Sequence, residues 1–158
     1  MSYAIRPFRT DDATAVAELT LAAIRDVGAR KYTPAQVDAW AARHPCPDRF
    51  VTRHDGGSMI FVACDVADEP VAYTLLEPDG HLDMLYCHPD HTRNGLANEL
   101  LAHAEMIAQS RNIARIFTEA SELAVPAFER AGYAVMHRRD FEIEGIPIHN
   151  YAMEKLLG

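Results

Sequence analysis

Three cysteines are too few and too scattered to staple a fold. Cys46, Cys64 and Cys87 form no C-x-x-C pair, and their count is odd. That excludes a disulfide framework and fits a reducing compartment. No apolar run approaches the length of a membrane span. The opening Met-Ser-Tyr-Ala-Ile-Arg lacks the apolar core of a secretory leader, so a cytoplasmic protein with no membrane partner is expected. Basic residues are in deficit, 15 Lys and Arg against 23 Asp and Glu, for a net charge of −8. That balance disfavours nucleic acid as a partner, and at long range it weakly favours a cationic one. G-x-G-x-x-G and G-x-x-x-x-G-K-[ST] are both absent, which removes dinucleotide and P-loop readings. The eight histidines include no H-E-x-x-H and no Cys/His ligand set. Pro89 breaks any helix that would align His88 with His91, so no metal is expected. Internal repeats, low-complexity tracts and linkers are missing too. At 158 residues, 49% apolar and 24% charged, the chain reads as one soluble globular domain over 1–158 that buries most of its apolar surface.

The pattern of what is present gives an alternation of strands and helices. Residues 3–8 form a short strand, and Thr10-Asp11-Asp12 starts a helix carrying Val16, Leu19, Ala23, Ile24 and Val27 at helical spacing. A second helix begins at Pro34, carries Val37 and Trp40, and stops at Pro45-Cys46-Pro47; a short strand over 49–53 follows. Strands at 59–65, 71–77 and 81–88 are separated by Asp68-Glu69-Pro70 and by the hairpin signal Pro78-Asp79-Gly80. An amphipathic helix after Gly95 shows Leu96, Leu100, Leu101, Ala104, Ile107 and Ala108 on one side. A strand at 114–120 precedes a helix that starts near Val125, because Pro126 cannot sit in its interior, and ends at Gly132. Residues 133–143 and 146–154 close the chain as a hairpin around Glu144-Gly145. The order β-α-α-β-β-β-α-β-α-β-β predicts a mixed α/β or α+β sheet protein.

Within it, Leu85-Tyr86-Cys87-His88-Pro89-Asp90-His91-Thr92-Arg93-Asn94-Gly95-Leu96-Ala97-Asn98 runs from a strand through a broken loop into a helix. Such a junction points unpaired backbone N–H groups at one spot and suits phosphate oxygens. Gly95 admits close approach, and Arg93 adds a charged donor. By period-2 alternation His81, Asp83, Leu85 and Cys87 share one strand face, which places two titratable groups beside this loop; Glu119 on the next strand is a third. Each of the three has a bland alternative as a solvated strand-end residue.

The segment resembles motif A of the GNAT superfamily of N-acetyltransferases, in which Arg or Gln, two residues, Gly, one residue, then Gly or Ala follow a strand and a proline. Thr92 stands at the first place, with Arg93, Asn94, Gly95, Leu96 and Ala97 after it. A second block also matches in spacing: Ser121, Ala124, Phe128, Gly132 and Tyr133 stand where the family carries Asn, Ala, Tyr, Gly and Phe. Tyr32-Thr33-Pro34-Ala35-Gln36 and Asn150-Tyr151-Ala152-Met153-Glu154-Lys155 are similar to stretches of one bacterial subgroup.

The resemblance implies a mixed, mostly antiparallel central sheet splayed between its fourth and fifth strands and flanked by helices. It implies acetyl-CoA as acyl donor, a primary amine of a small molecule or protein as acceptor, and direct transfer without a covalent enzyme intermediate. Arg93, Asn94, Gly95, Leu96, Ala97 and Asn98 would hold the pyrophosphate. The backbone of Leu85, Tyr86 and Cys87 would pair with the pantetheine arm and polarise the thioester carbonyl, with Ser121 and Phe128 beside the arm. Asp83 or His81, then Glu119, would be the general base. Tyr32, Trp40 and Tyr151 would line the acceptor pocket. Members of the family are often homodimers. Phe128 lacks the hydroxyl that commonly protonates the leaving thiolate, so a non-catalytic acyl-CoA-binding protein is the competing expectation.

Overall fold

The computed structural model describes residues 2–44 and 46–158. Its elements run β1 Ala4–Pro7, α1 Ala13–Val27, α2 Pro34–Arg43, α3 Pro47–Asp55, β2 Met59–Cys64, β3 Pro70–Leu76, β4 Leu82–Cys87, α4 Leu96–Ser110, β5 Arg115–Ala120, α5 Val125–Arg130, β6 Ala134–Ile143 and β7 Ile146–Leu156. Two antiparallel sheets form, a four-stranded one in the order β1-β2-β3-β4 and a three-stranded one in the order β5-β7-β6. This is the mixed architecture splayed between the fourth and fifth strands.

The four-stranded sheet is covered on both faces, so β2 and β3 are nearly continuous apolar runs rather than alternating ones. On one face, Val16 and Leu19 of α1 and Phe50 of α3 pack with Val62, Tyr73, Leu75 and Met84. On the other, Leu96 and Leu100 of α4 pack with Phe61, Ala63 and Ala72. Leu101, Ala104 and Ala108 of the same helix carry on to β5, α5 and β7 through Ile116, Phe128 and Met153. One helix therefore spans both sheets and holds them together where they part. The buried Tyr73 hydroxyl lies 2.6 Å from Thr20 Oγ1, so its polar atom is satisfied inside the core.

Two expectations need correction. Residues 49–53 are helical, inside α3, and not a strand. Pro47 at the first helical position and Asp48 in the first turn start that helix. The apolar pair Phe50-Val51 packs against the α1 side of the core, so burial outweighs the β-propensity of Val51 and Thr52. The expected alternation along β4 also breaks. Leu75 pairs with Met84 while Leu76 pairs with Leu82, so Asp83 is the extra residue of a β-bulge. After the bulge Leu82 and Leu85 both face α4, whereas Met84 faces α1. His81, Asp83, Leu85 and Cys87 therefore do not share one face.

Candidate active site

β4 and β5 touch only at their beginnings. Phe117 N–H donates to Gly80 O at 3.0 Å, and His81 forms a lone parallel bridge with Phe117. Gly80 has φ +99°, and a Cβ there would lie 2.2 Å from Arg115 O, so only glycine lets the strands approach this closely. Past this point no ladder joins the two sheets. The N–H of His88 donates to Val71 on β3. By the alternation of an antiparallel ladder, the peptide groups of Leu85 and Cys87 then face the gap. A cavity of about 730 Å³ opens there, walled by Asp83–Tyr86 on one side and Thr118–Ser121 on the other.

All three base candidates meet at this gap. His81 Nε2 lies 2.8 Å from Glu119 Oε1 and 3.9 Å from Asp83 Oδ1, and its ring stacks on Phe117 at 5.0 Å. The hydrogen bond to the Glu119 carboxylate raises the His81 pKa against the effect of burial. Asp83 and Glu119 line the cavity, whereas His81 stands behind them. Asp83 is further held by Arg53 of α3, at 2.6 Å. Arg53 also binds Glu77, which accepts a hydrogen bond from Ser58. His81, Asp83 and Glu119 present ligand atoms within 4.8 Å of one another. With Arg53 on Asp83, that cluster already contains a cation.

The junction into α4 has the form expected of an anion cradle. Arg93 and Gly95 both adopt left-handed backbone, at φ +66° and +77°. Gly95 is the N-cap of α4, and the loop before it is fixed by Thr92 Oγ1 donating to Pro89 O and Asn94 Nδ2 donating to His91 O. The N–H groups of Gly95, Leu96, Ala97 and Asn98 have no acceptor among the described residues. A Cβ placed on Gly95 would meet open space. A row of unpaired donors with room in front of it fits a pyrophosphate.

Ser121, just past the end of β5, and Phe128 on α5 line the same cavity. Tyr133 contacts Phe128 at 5.0 Å, and its hydroxyl is buried without a hydrogen-bond partner. It lies among Leu101, Ala104 and Met153 and does not line the cavity, so it does not return the missing hydroxyl to the gap. Burial pushes the Cys87 thiol up to about 11, which is the behaviour of a packed thiol and not of a nucleophile.

Tyr32 and Trp40 line the cavity; Tyr151 packs near Ala120 and Met153 and is not part of its wall. The Tyr32 hydroxyl is fully used, donating to His149 O and accepting from Glu122 N–H, both at 3.0 Å. Thr33 and Gln36 close a capping box on α2, with Pro34 at the first position, and Gln36 Nε2 donates to Pro147 O at 2.9 Å. The Tyr-x-Pro-x-Gln stretch is thus a latch tying α2 to β7. The C-terminal stretch is equally structural: Asn150 accepts from Arg139, Met153 is core, Glu154 pairs with Arg115, and Lys155 binds Glu105 and Ala131 O.

Sequence reasoning missed Arg43, His44, Arg49 and Arg53, all of which line the cavity. Arg49 and Arg53 are four apart, a signal that becomes visible once 47–55 is read as a helix.

A splayed sheet, an exposed strand edge in the splay and an amide cradle at the next helix define a fold that receives an acyl-CoA between its halves. The family model for the acetyltransferase (GNAT) domain matches residues 28–155, and the chain belongs to the GNAT acetyltransferase family. It is an acetyl-CoA-dependent N-acetyltransferase. The chain is 26% identical over 149 residues to the uncharacterized N-acetyltransferase YafP of Escherichia coli, covering 94% of this chain and 93% of that protein. A GCN5-related N-acetyltransferase from Rhodopseudomonas palustris superposes with a TM-score of 0.89 at 30% identity, covering 99% and 97% of the two chains. The acetyltransferase yncA of Salmonella typhimurium, solved with acetyl-CoA, shares the fold at a TM-score of 0.78 and 15% identity, over 100% and 95% of the chains. Among the described residues no helix is long and apolar enough to cross a membrane.

Proposed function

We propose that this protein transfers the acetyl group of acetyl-CoA to a primary amine held in the cavity, with Glu119 as the general base. The observation that carries the reading is that the Glu119 carboxylate and the strand edge at Leu85 line one cavity at the β4–β5 opening. When bound, acetyl-CoA supplies an acyl group activated as a thioester. The amides of Gly95–Asn98, with Arg93, hold its pyrophosphate. The Leu85 and Cys87 peptide groups orient the pantetheine arm, and an N–H there stabilises negative charge on the carbonyl oxygen. Glu119 takes the proton from the incoming ammonium, directly or through a water, while His81 holds the carboxylate in place and Asp83 stays neutralised by Arg53. The base assignment thus moves from Asp83 and His81 to Glu119, because of these three candidates Glu119 is the one that lines the cavity without an arginine on it. With no tyrosine hydroxyl free at the gap, water protonates the departing thiolate.

The test is thiol release from acetyl-CoA with a broad amine panel. Glu119→Gln lowers kcat by about 10²- to 10⁴-fold, the usual worth of a general base, while acetyl-CoA affinity by calorimetry stays the same. Equal kcat in both proteins would move the base elsewhere. Phe128 favours a second reading, a domain that binds acyl-CoA without turning it over. Cofactor binding with no amine-stimulated thiol release across the panel would select it.

A further inference from the structure

The wall of the cavity opposite the β6–β7 hairpin carries positive charge that the fold does not use. Arg43 ends α2 and Arg49 lies in the first turn of α3; both line the cavity, and neither has an acidic partner among the described residues. For Arg43 a stability role is available, since a cation suits the C-terminal end of a helix. For Arg49 it is not. Its charge sits at the positive end of the α3 dipole, where it opposes the helix.

Between them lies His44, also on the cavity wall. Burial, together with the two arginines, pushes its pKa down to about 4, so the ring is neutral at physiological pH. His44 Nε2 and the Tyr86 hydroxyl share a hydrogen bond of 3.2 Å, and His44 Nδ1 is enclosed by the protein, out of reach of a ligand. Two charged donors with no acidic partner, flanking a neutral ring, therefore line one stretch of wall. At the far side, Glu142 and Glu144 line the cavity with no cation paired to them, and Glu119 lies at the gap. Arg139 lines that side too, engaged by Asn150 and the Phe141 ring.

We propose that the acceptor is a small primary amine that also carries an oxyanion, such as the carboxylate of an amino acid. Arg43 and Arg49 bind the oxyanion, and the ammonium points toward Glu119. This rests on the cavity being the acceptor site of the acetyltransferase. It departs from a purely cationic acceptor of the kind that net charge and aromatic rings suggest, because the local arginines, and not the global sign, face the ligand.

The experiment compares free amino acids with their C-terminal amides and with the matching decarboxylated amines, using the full-length protein. Thiol release gives kcat and KM, and calorimetry gives binding with and without coenzyme A. Charge-assisted contacts of this kind predict a kcat/KM about ten- to a hundredfold higher for the carboxylate members, expressed in KM. In the double variant Arg43→Gln, Arg49→Gln that preference collapses, with coenzyme A affinity unchanged as the control for folding; Arg49→Lys recovers part of it. Amides or decarboxylated amines used as well as their parents would overturn the proposal, as would an unchanged preference in the double variant. If no amine is turned over, the base assignment fails by itself. The proposal then stands or falls on whether carboxylate amines bind the protein–coenzyme A complex and lose that binding in the double variant.

Discussion

Protonation of His44 should weaken the fold as the pH falls from 6.5 toward 4. The ring is enclosed between Tyr86 and the ends of α2 and α3, and its pKa falls from 6.5 to about 4, mainly through burial. Above pH 6.5 the ring is neutral in both the folded and the unfolded chain, and the stability is complete. As the pH drops, the unfolded chain takes a proton that the fold refuses, so stability is lost progressively until about pH 4, below which both states are protonated. The gap between the two pKa values sets an upper bound of about 3 kcal/mol. By pH 4.5 about 2 kcal/mol of it should have gone, after discounting for the water that still reaches the ring. The assay is urea unfolding at pH 7.5 and pH 4.5 for the wild type and for His44→Gln, which keeps an acceptor for the Tyr86 hydroxyl and does not titrate. The wild type should lose about 2 kcal/mol more than the variant, a difference in midpoint of about 1 M urea. His81 contributes in the opposite sense, because its raised pKa adds stability below pH 6.5 that fades as the pH rises through the folded value. It is present in both proteins and cancels in the difference. Equal acid losses in the two proteins would show that the ring is hydrated and not enclosed.

Other perturbations test the remaining parts of the site. Replacing Gly95 with Glu puts a carboxylate into the open space before the α4 amides and on a left-handed residue; coenzyme A affinity should fall by at least about a hundredfold with the fold retained, and unchanged calorimetry would move the cradle elsewhere. Gly80→Ala should cost about 3 kcal/mol by chemical denaturation, from overpacking against the Arg115 carbonyl and the positive φ combined, whereas a loss under about 1 kcal/mol would mean that the β4–β5 junction can relax. In Glu119→Gln the His81 pKa, read by NMR titration, should drop, since the carboxylate that raises it is gone. No change would show that the 2.8 Å contact between them does not persist in solution.

The parts legible in the sequence are those determined over short stretches of chain. Motif A is a strand, a loop and a helix start contiguous over Leu85–Asn98, so the geometry of its amides follows from local rules alone: a left-handed Gly95, an amphipathic run after it and a proline before it. The strand hairpins were equally readable from Pro78-Asp79-Gly80 and Glu144-Gly145. The bulge at Asp83 was not, because a bulge is a property of the pairing between two strands and leaves no mark in either one alone. Nor was α3, where the β-branched Val51 and Thr52 suggest a strand and only the packing of Phe50 and Val51 on the α1 side of the core selects the helix. That single misreading also hid Arg49 and Arg53, since it is the helix packed on the α1 side of the core that brings both to the cavity wall.

The acceptor side of the site shows the same division from the other direction. Tyr32, Pro34 and Gln36 look like a binding motif, but Tyr32 and Gln36 are bound to the backbone of His149 and Pro147, so this stretch and the C-terminal one are the halves of one latch. A latch between α2 and β7 closes the cavity at one end and carries Trp40 and His44 to its wall. It therefore decides where the pocket is without choosing what enters it. The choice falls to residues that the latch leaves unpaired. Arg53 is held by Glu77 and Asp83, His81 by Glu119 and Arg139 by Asn150, whereas Arg43 and Arg49 have no acidic partner among the described residues. In a wall where the other strong donors are satisfied internally, specificity must reside in the ones that are not.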